Sequence, residues 1–135
     1  MPGDVDSVLI VDDQAGVRRL LFEALSNEGY RVEMAASGPE ALKKISDRVP
    51  SLVLLDIKMP GMNGLDTLEE LRKIAPETTV VMMTAYGELD IITEAKKRGV
   101  QHYVVKPFDL NEVRYLIKGL LAEMAEMKEQ LKEIG

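Results

Sequence analysis

Leu52–Gly64 reads LVLLDIKMPGMNG, and this stretch decides how the rest of the chain is read. Leu52–Leu55 is a continuous apolar run rather than an alternating one, as expected of a strand covered on both faces. It ends abruptly in the carboxylate Asp56, and Pro60-Gly61 then marks a turn. Leu65, Leu68, Leu71 and Ile74 follow at helical spacing, opened by Asn63 and closed before Pro76. A buried strand, a turn and an amphipathic helix make one unit of an α/β sheet.

The same unit recurs on either side. Short apolar runs stand at Val8–Val11 (VLIV), Val32–Ala36 (VEMAA), Val80–Met83 (VVMM) and Tyr103–Val105 (YVV). Val17, Leu20, Leu21, Ala24 and Leu25 place one apolar stripe on a helix, with Gly29 where a C-terminal cap would sit. Ala41, Leu42 and Ile45 form a shorter stripe that stops before Pro50. Ile91, Ile92 and Ala95 form another, ended near Gly99. The last helix begins at Asp109, an N-cap residue with Glu112 three positions on, as in a capping box. Strict alternation of strand and helix implies a mostly parallel sheet with helices on both faces. Right-handed crossovers make it doubly wound.

At 135 residues the chain has the length of one domain, with 46% hydrophobic content to build its core. A formal charge of −6 disfavours nonspecific binding to nucleic acid or to anionic membranes. Without cysteine there is neither a disulfide framework nor a thiolate metal site. The N-terminal MPGDVDS lacks the basic and apolar regions of a signal peptide. No apolar run approaches the ~20 residues of a membrane span. A cytoplasmic location, no membrane partner and no direct contact with nucleic acid are the expectations.

Sites in open α/β sheets form outside the carboxyl ends of the strands. The polar residues there are Asp12-Asp13, Asp56, Thr84 and Lys106-Pro107. Each has an ordinary reading alone: a helix cap, a turn acid, a strand-end threonine, a surface turn. Together they place three carboxylates, a hydroxyl and an ammonium on one rim. Such carboxylates raise one another's pKa unless a cation neutralises them. An all-oxygen cluster suits a hard ion, and Mg²⁺ is expected over Ca²⁺ because nothing resembles a Ca²⁺-binding loop. Lys106 and Thr84 can hold phosphoryl oxygens, and a carboxylate can accept a phosphoryl group. Asp56, central on the rim, is the expected acceptor.

At these residues the sequence resembles the receiver domain of bacterial two-component response regulators. The matching stretches are Val8–Asp13, Leu52–Gly64, Val80–Gly87 (VVMMTAYG) and Tyr103–Phe108 (YVVKPF), and the resemblance covers residues 5–120. It implies a flavodoxin-like five-stranded sheet of order 2-1-3-4-5, with a sensor histidine kinase or a histidine phosphotransferase as phosphodonor. It implies Asp56 as phosphoacceptor, Asp13 as the main direct Mg²⁺ ligand, Asp12 acting more through water, and the Lys58 carbonyl completing the set. Thr84 and Lys106 would hold the phosphoryl oxygens, Lys106-Pro107 would be cis, and Thr84 with Tyr103 would form the switch. Gln14, Arg18, Pro107 and Phe108 would line the rim where a helical partner docks. A receiver is not a conventional turnover enzyme, although it catalyses its own phosphorylation and dephosphorylation. VDDQ (Val11–Gln14), MTAYGELD (Met83–Asp90) and KPFD (Lys106–Asp109) resemble stand-alone relay receivers, some of which carry histidine where Tyr103 stands. His102, without a base or metal partner in view, is read as a surface residue.

Two other classes use similar elements. A Mg²⁺-dependent phosphatase of the haloacid-dehalogenase type has its Asp nucleophile after strand 1 in a DxD-like pattern, which Asp12-Asp13-Gln14 fits poorly. A flavin module would need Gly/Ser/Thr-rich phosphate loops, whereas these strand ends are acidic.

Beyond the domain, 121–135 is expected to be a helical extension. Ile117, Leu120, Met124, Met127, Leu131 and Ile134 are spaced 3-4-3-4-3, a coiled-coil pattern with Glu123 at g and Lys128 at e. Under three heptads with Gly119 inside is marginal, so a homodimer through this helix stands beside a frayed tail as the alternative. A homodimer would fit the input domain of a longer regulator.

Overall fold

The computed structural model describes residues 5–85 and 88–134. Met1–Asp4, Tyr86, Gly87 and Gly135, which complete some of the stretches quoted above, lie outside the described residues. The elements alternate without exception: β1 Ser7–Val11, α1 Ala15–Ser26, β2 Arg31–Ala35, α2 Gly38–Asp47, β3 Leu52–Asp56, α3 Gly64–Ile74, β4 Thr79–Ala85, α4 Leu89–Lys97, β5 His102–Lys106 and α5 Leu110–Ile134. The strands form one parallel sheet of order β2-β1-β3-β4-β5.

Strand periodicity divides the core. Leu9, Val11, Val53, Leu55, Val80 and Met82 face α2, α3 and α4. Val8, Ile10, Leu52, Leu54, Val81 and Met83 point to the opposite face, under α1 and α5. A strand buried on both faces reads as a continuous apolar run, and β3 is buried throughout. At the edge of the sheet β2 alternates exposed and half-buried residues, and it begins one residue earlier than expected.

Two helix caps, Asn63 and Asp109, follow their sequence signals, and Ser37 adds one that was not singled out. Asn63 accepts from Asp66 N at 2.9 Å, Asp109 accepts from Asn111 N at 2.8 Å, and Ser37 caps α2 through Glu40 N at 3.3 Å. The stripes are narrower than expected. Leu20 is 55% exposed and Ile74 43%. At about 100° per residue, Leu20 falls at the edge of the arc centred on Leu21, Ala24 and Leu25. An i, i+3 series slips about 60° at each step, so Ile74 leaves the face that Leu68 and Leu71 bury.

One glycine is required by packing. A Cβ at Gly64 would lie 2.6 Å from Ile57 Cα and press on the Asp56 carbonyl, both backbone groups of the β3–α3 loop. That loop is tied by Ile57 N to Met83 O (3.0 Å) and Gly64 N to Ile57 O (2.8 Å), so it has no room to yield. Gly64→Ala is expected to destabilise the fold by about 2 kcal/mol through overpacking. Urea denaturation checks this, and a midpoint equal to that of the parent protein contradicts the close approach.

Candidate functional site

Register brings the acids together. Val11 pairs with Leu55, and Asp56 pairs with Met83, so β1 and β3 end side by side. Alternation gives Asp12, Asp56 and Lys106 the parity of Ile10, Leu54 and Val104, and the three meet at the rim. Lys106 Nζ lies 2.6 Å from Asp12 Oδ2 and 3.5 Å from Asp56 Oδ2. Asp12 is completely buried and Asp56 is 5% exposed, whereas Asp13 is exposed beside them. One carboxylate oxygen from each of Asp12, Asp13 and Asp56 lies within 4.8 Å of the others.

The chain around Asp12 is fixed before any ligand arrives. Asp12 N donates to Ala35 O at 3.1 Å, extending the β1–β2 ladder by one rung. Asp12 Oδ1 accepts from Gln14 N at 2.8 Å, an Asx-type turn that leads into α1. Arg18 donates to Asp12 O at 2.6 Å, which fills part of the guanidinium's capacity and leaves Gln14 and Pro107 exposed at the rim. Phe108 turns partly inward and packs on the core beneath α1 and α5. The Lys106-Pro107 peptide is cis.

Asp56 carries the electrostatic load of the cluster. Burial, and next the Asp12 carboxylate, push it up from 3.8 to about 6, against the opposing pull of Lys106 and the Lys58 N–H. That N–H reaches Asp56 Oδ1 over 3.4 Å, so its hold is weak. Three acids and one lysine leave an excess of negative charge in a largely buried site. An all-oxygen donor set with this excess fits a hard divalent cation.

Thr84 is 1% exposed, and its hydroxyl donates to Ala85 O at 3.3 Å. Tyr103 lies on the other parity of β5, 42% exposed, with Lys96 Nζ 5.8 Å from its ring centroid. Thr84 and Tyr103 therefore do not touch through the strand pairing, since Thr84 is opposite Val105 and Tyr103 opposite Met82. His102 begins β5, at the end of the sheet remote from Asp56. It is half-buried rather than fully exposed, in the wall of a cavity of about 480 Å³ under Leu120 and Met124. Sequence reading passed over Glu88, whose Oε1 accepts from Ala85 N at 3.1 Å. An acid three residues beyond a strand-end threonine's neighbour, just before a helix, was the available signal.

The chain matches the response regulator receiver domain family over residues 8–118 and belongs to it. It is a phosphoryl-accepting response-regulator receiver, a class that does not favour the phosphatase reading. It is 46% identical over 116 residues to sporulation initiation phosphotransferase F of Bacillus subtilis, covering 86% of this chain and 94% of that one. It is 38% identical over 130 residues to the regulatory protein AtoC of Escherichia coli, covering 96% of this chain but only 28% of AtoC. Among solved structures, a CheY-like receiver domain protein from Methanospirillum hungatei superposes with a TM-score of 0.87 at 33% identity, covering 92% of this chain and 99% of that one. No helix among the described residues is long and apolar enough to cross a membrane.

The upward shift of Asp56 has a signed consequence. Folding holds its proton more tightly than the unfolded chain does, so its contribution to stability is present below about pH 4 and is lost as pH rises through about 6. Without divalent cation, Asp56→Asn is expected to raise the urea midpoint near pH 7.5, with the gain shrinking as pH falls through 6 toward 4. A gain that does not vary with pH, or a loss at pH 7.5, contradicts this account.

Proposed function

We propose that Asp56 is the phosphoacceptor and that its donor is a phosphohistidine on a sensor histidine kinase or histidine phosphotransferase. The observation that carries this reading is the meeting of Asp12, Asp13 and Asp56 within 4.8 Å under Lys106 Nζ. A carboxylate oxygen of Asp56 attacks phosphorus, a P–O bond forms as the P–N bond breaks, and the leaving imidazole nitrogen takes up a proton. Asp12, Asp13, Asp56 and the Lys58 carbonyl are the groups that would hold Mg²⁺. When bound, Mg²⁺ supplies the positive charge that offsets the carboxylates and the phosphoryl oxygens. Lys106 neutralises a further phosphoryl oxygen, and the Thr84 hydroxyl, now on a neighbouring carbonyl, is free to turn toward another. In this reading Thr84 and Tyr103 are the switch, the hydroxyl leaving the Ala85 carbonyl and the ring turning inward from its exposed position. Gln14, Arg18, Pro107 and Phe108 form the docking rim.

Phosphorylation with a small phosphodonor and Mg²⁺ is expected to add one phosphoryl mass, and Asp56→Ala to abolish it. Lys106→Ala is expected to slow labelling at least about tenfold while Mg²⁺ affinity holds or rises, because Asp12 loses its lysine partner. Label retained in Asp56→Ala sinks the acceptor assignment, and loss of Mg²⁺ affinity in Lys106→Ala sinks the role given to the lysine.

The similarity to phosphotransferase F supports a stand-alone cytoplasmic relay in a sporulation pathway. The match to AtoC over nearly the whole chain supports an input domain. α5 favours the second reading: it continues as helix to Ile134, with Met127, Leu131 and Ile134 between 63% and 83% exposed on one stripe. Light scattering is expected to show a homodimer that Leu131→Asp returns to monomer. A monomer with and without beryllium fluoride would instead favour the relay.

A further inference from the structure

The β4–α4 junction holds a contact that phosphoryl transfer does not require. β4 runs to Ala85, two residues beyond Met83, which pairs with the last residue of β3. Met83 O accepts from Ile57 N, so the backbone groups of Met83 face β3. Successive residues of a parallel strand turn their backbone groups alternately to the two neighbours. The N–H of Ala85 therefore points the same way as Met83, past the end of β3, over the place where Asp56 stands. No strand residue meets it there.

Glu88 meets it instead. Its Oε1 accepts the Ala85 N–H at 3.1 Å. Its Oε2 is buried and has no hydrogen-bond partner among the described residues. A carboxylate with one orphaned buried oxygen is costly. Glu88 is also the residue on which α4 starts: its carbonyl accepts from Ile91 N and Ile92 N, each at 3.2 Å. Farther along the same helix, Lys96 covers the Tyr103 ring.

We propose that Glu88 is a built-in competitor of the phosphoryl group: its carboxylate holds the Ala85 N–H that a phosphoryl on Asp56 would take, so phosphorylation ejects the side chain and loosens the start of α4. This rests on Asp56 being the acceptor. A phosphoryl carries about two negative charges and three acceptor oxygens, so it repels the Glu88 carboxylate and replaces it on the same donor. The exchange ties charge at the pocket to the helix that packs beside Tyr103. Glu88 is a positioning residue in this scheme and takes no part in bond making.

The test titrates beryllium fluoride at saturating Mg²⁺ into the parent protein, Glu88→Gln, Glu88→Ala and Asp56→Ala, following the Ala85 amide and the Glu88 carboxyl carbon by NMR. Glu88→Ala is expected to bind at least about fivefold more tightly, the net scale of one ordinary hydrogen bond. Glu88→Gln, which keeps an acceptor for Ala85 and so guards against misfolding, is expected to fall between. In the parent protein the Glu88 carboxyl resonance is expected to move to a solvent-exposed position as the pocket fills. Affinity unchanged or weakened in both Glu88 variants, or a Glu88 resonance that stays put at saturation, overturns the competitor. A parent protein that binds no beryllium fluoride, or an Asp56→Ala variant that binds it equally, overturns the Asp56 reading itself.

Discussion

The contact of Lys106 Nζ with Asp12 Oδ2 and Asp56 Oδ2 is the point at which three strands are joined electrostatically. It needs β1, β3 and β5 to end at matching heights with matching parity, and the register supplies both. An ion cluster of this kind is a poor source of stability. Removing charges from water costs several kcal/mol per ion, and apolar residues of similar volume often serve a fold better. Asp12 is nevertheless wholly buried, with its carbonyl, amide and Oδ1 each engaged. The surrounding sheet over-determines a geometry that is unfavourable by itself. Such a cluster belongs to chemistry rather than to folding.

The imbalance of charge sets what the pocket accepts. Three carboxylates against one ammonium favour a divalent cation, and with that cation in place the balance turns toward an anion. A phosphoryl group is attracted only to the second state. Exposure fits the division of labour proposed above: Asp13 is open to solvent, where a bound ion would exchange its water, while Asp56 is buried, where its attacking oxygen would be weakly hydrated.

Much of this was legible in the sequence because strand-end chemistry is positional. A run such as VLIV followed by Asp12-Asp13, or LVLL followed by Asp56, states both the strand and the residue at its carboxyl end. Caps at Asn63 and Asp109 were equally direct, since each is a side chain acting on backbone two or three residues away. What escaped were features set by three dimensions. Leu20 looked buried because apolarity marks a stripe but not its width. Gly64 is required by the Asp56 carbonyl, a contact created by the fold of the loop. Glu88 reads as an ordinary acid before a helix until the Ala85 N–H is seen to lack a strand partner.

The long last helix joins a half anchored in the core to a half that is exposed. α5 is anchored by Val113, Ile117, Leu120 and Leu121 in the core, and Met124 still touches that core and Thr79. From Ala125 onward it projects for roughly 15 Å, exposed throughout. A helical segment so short is marginal in water without tertiary packing. Its order must therefore come from continuity with the anchored half and from whatever covers Met127, Leu131 and Ile134. The anchored half shares one core layer with Val81 and Met83 of β4 and Val104 of β5. The homodimer proposed above would supply that cover, and the apolar residues that look superfluous to the receiver would then be buried.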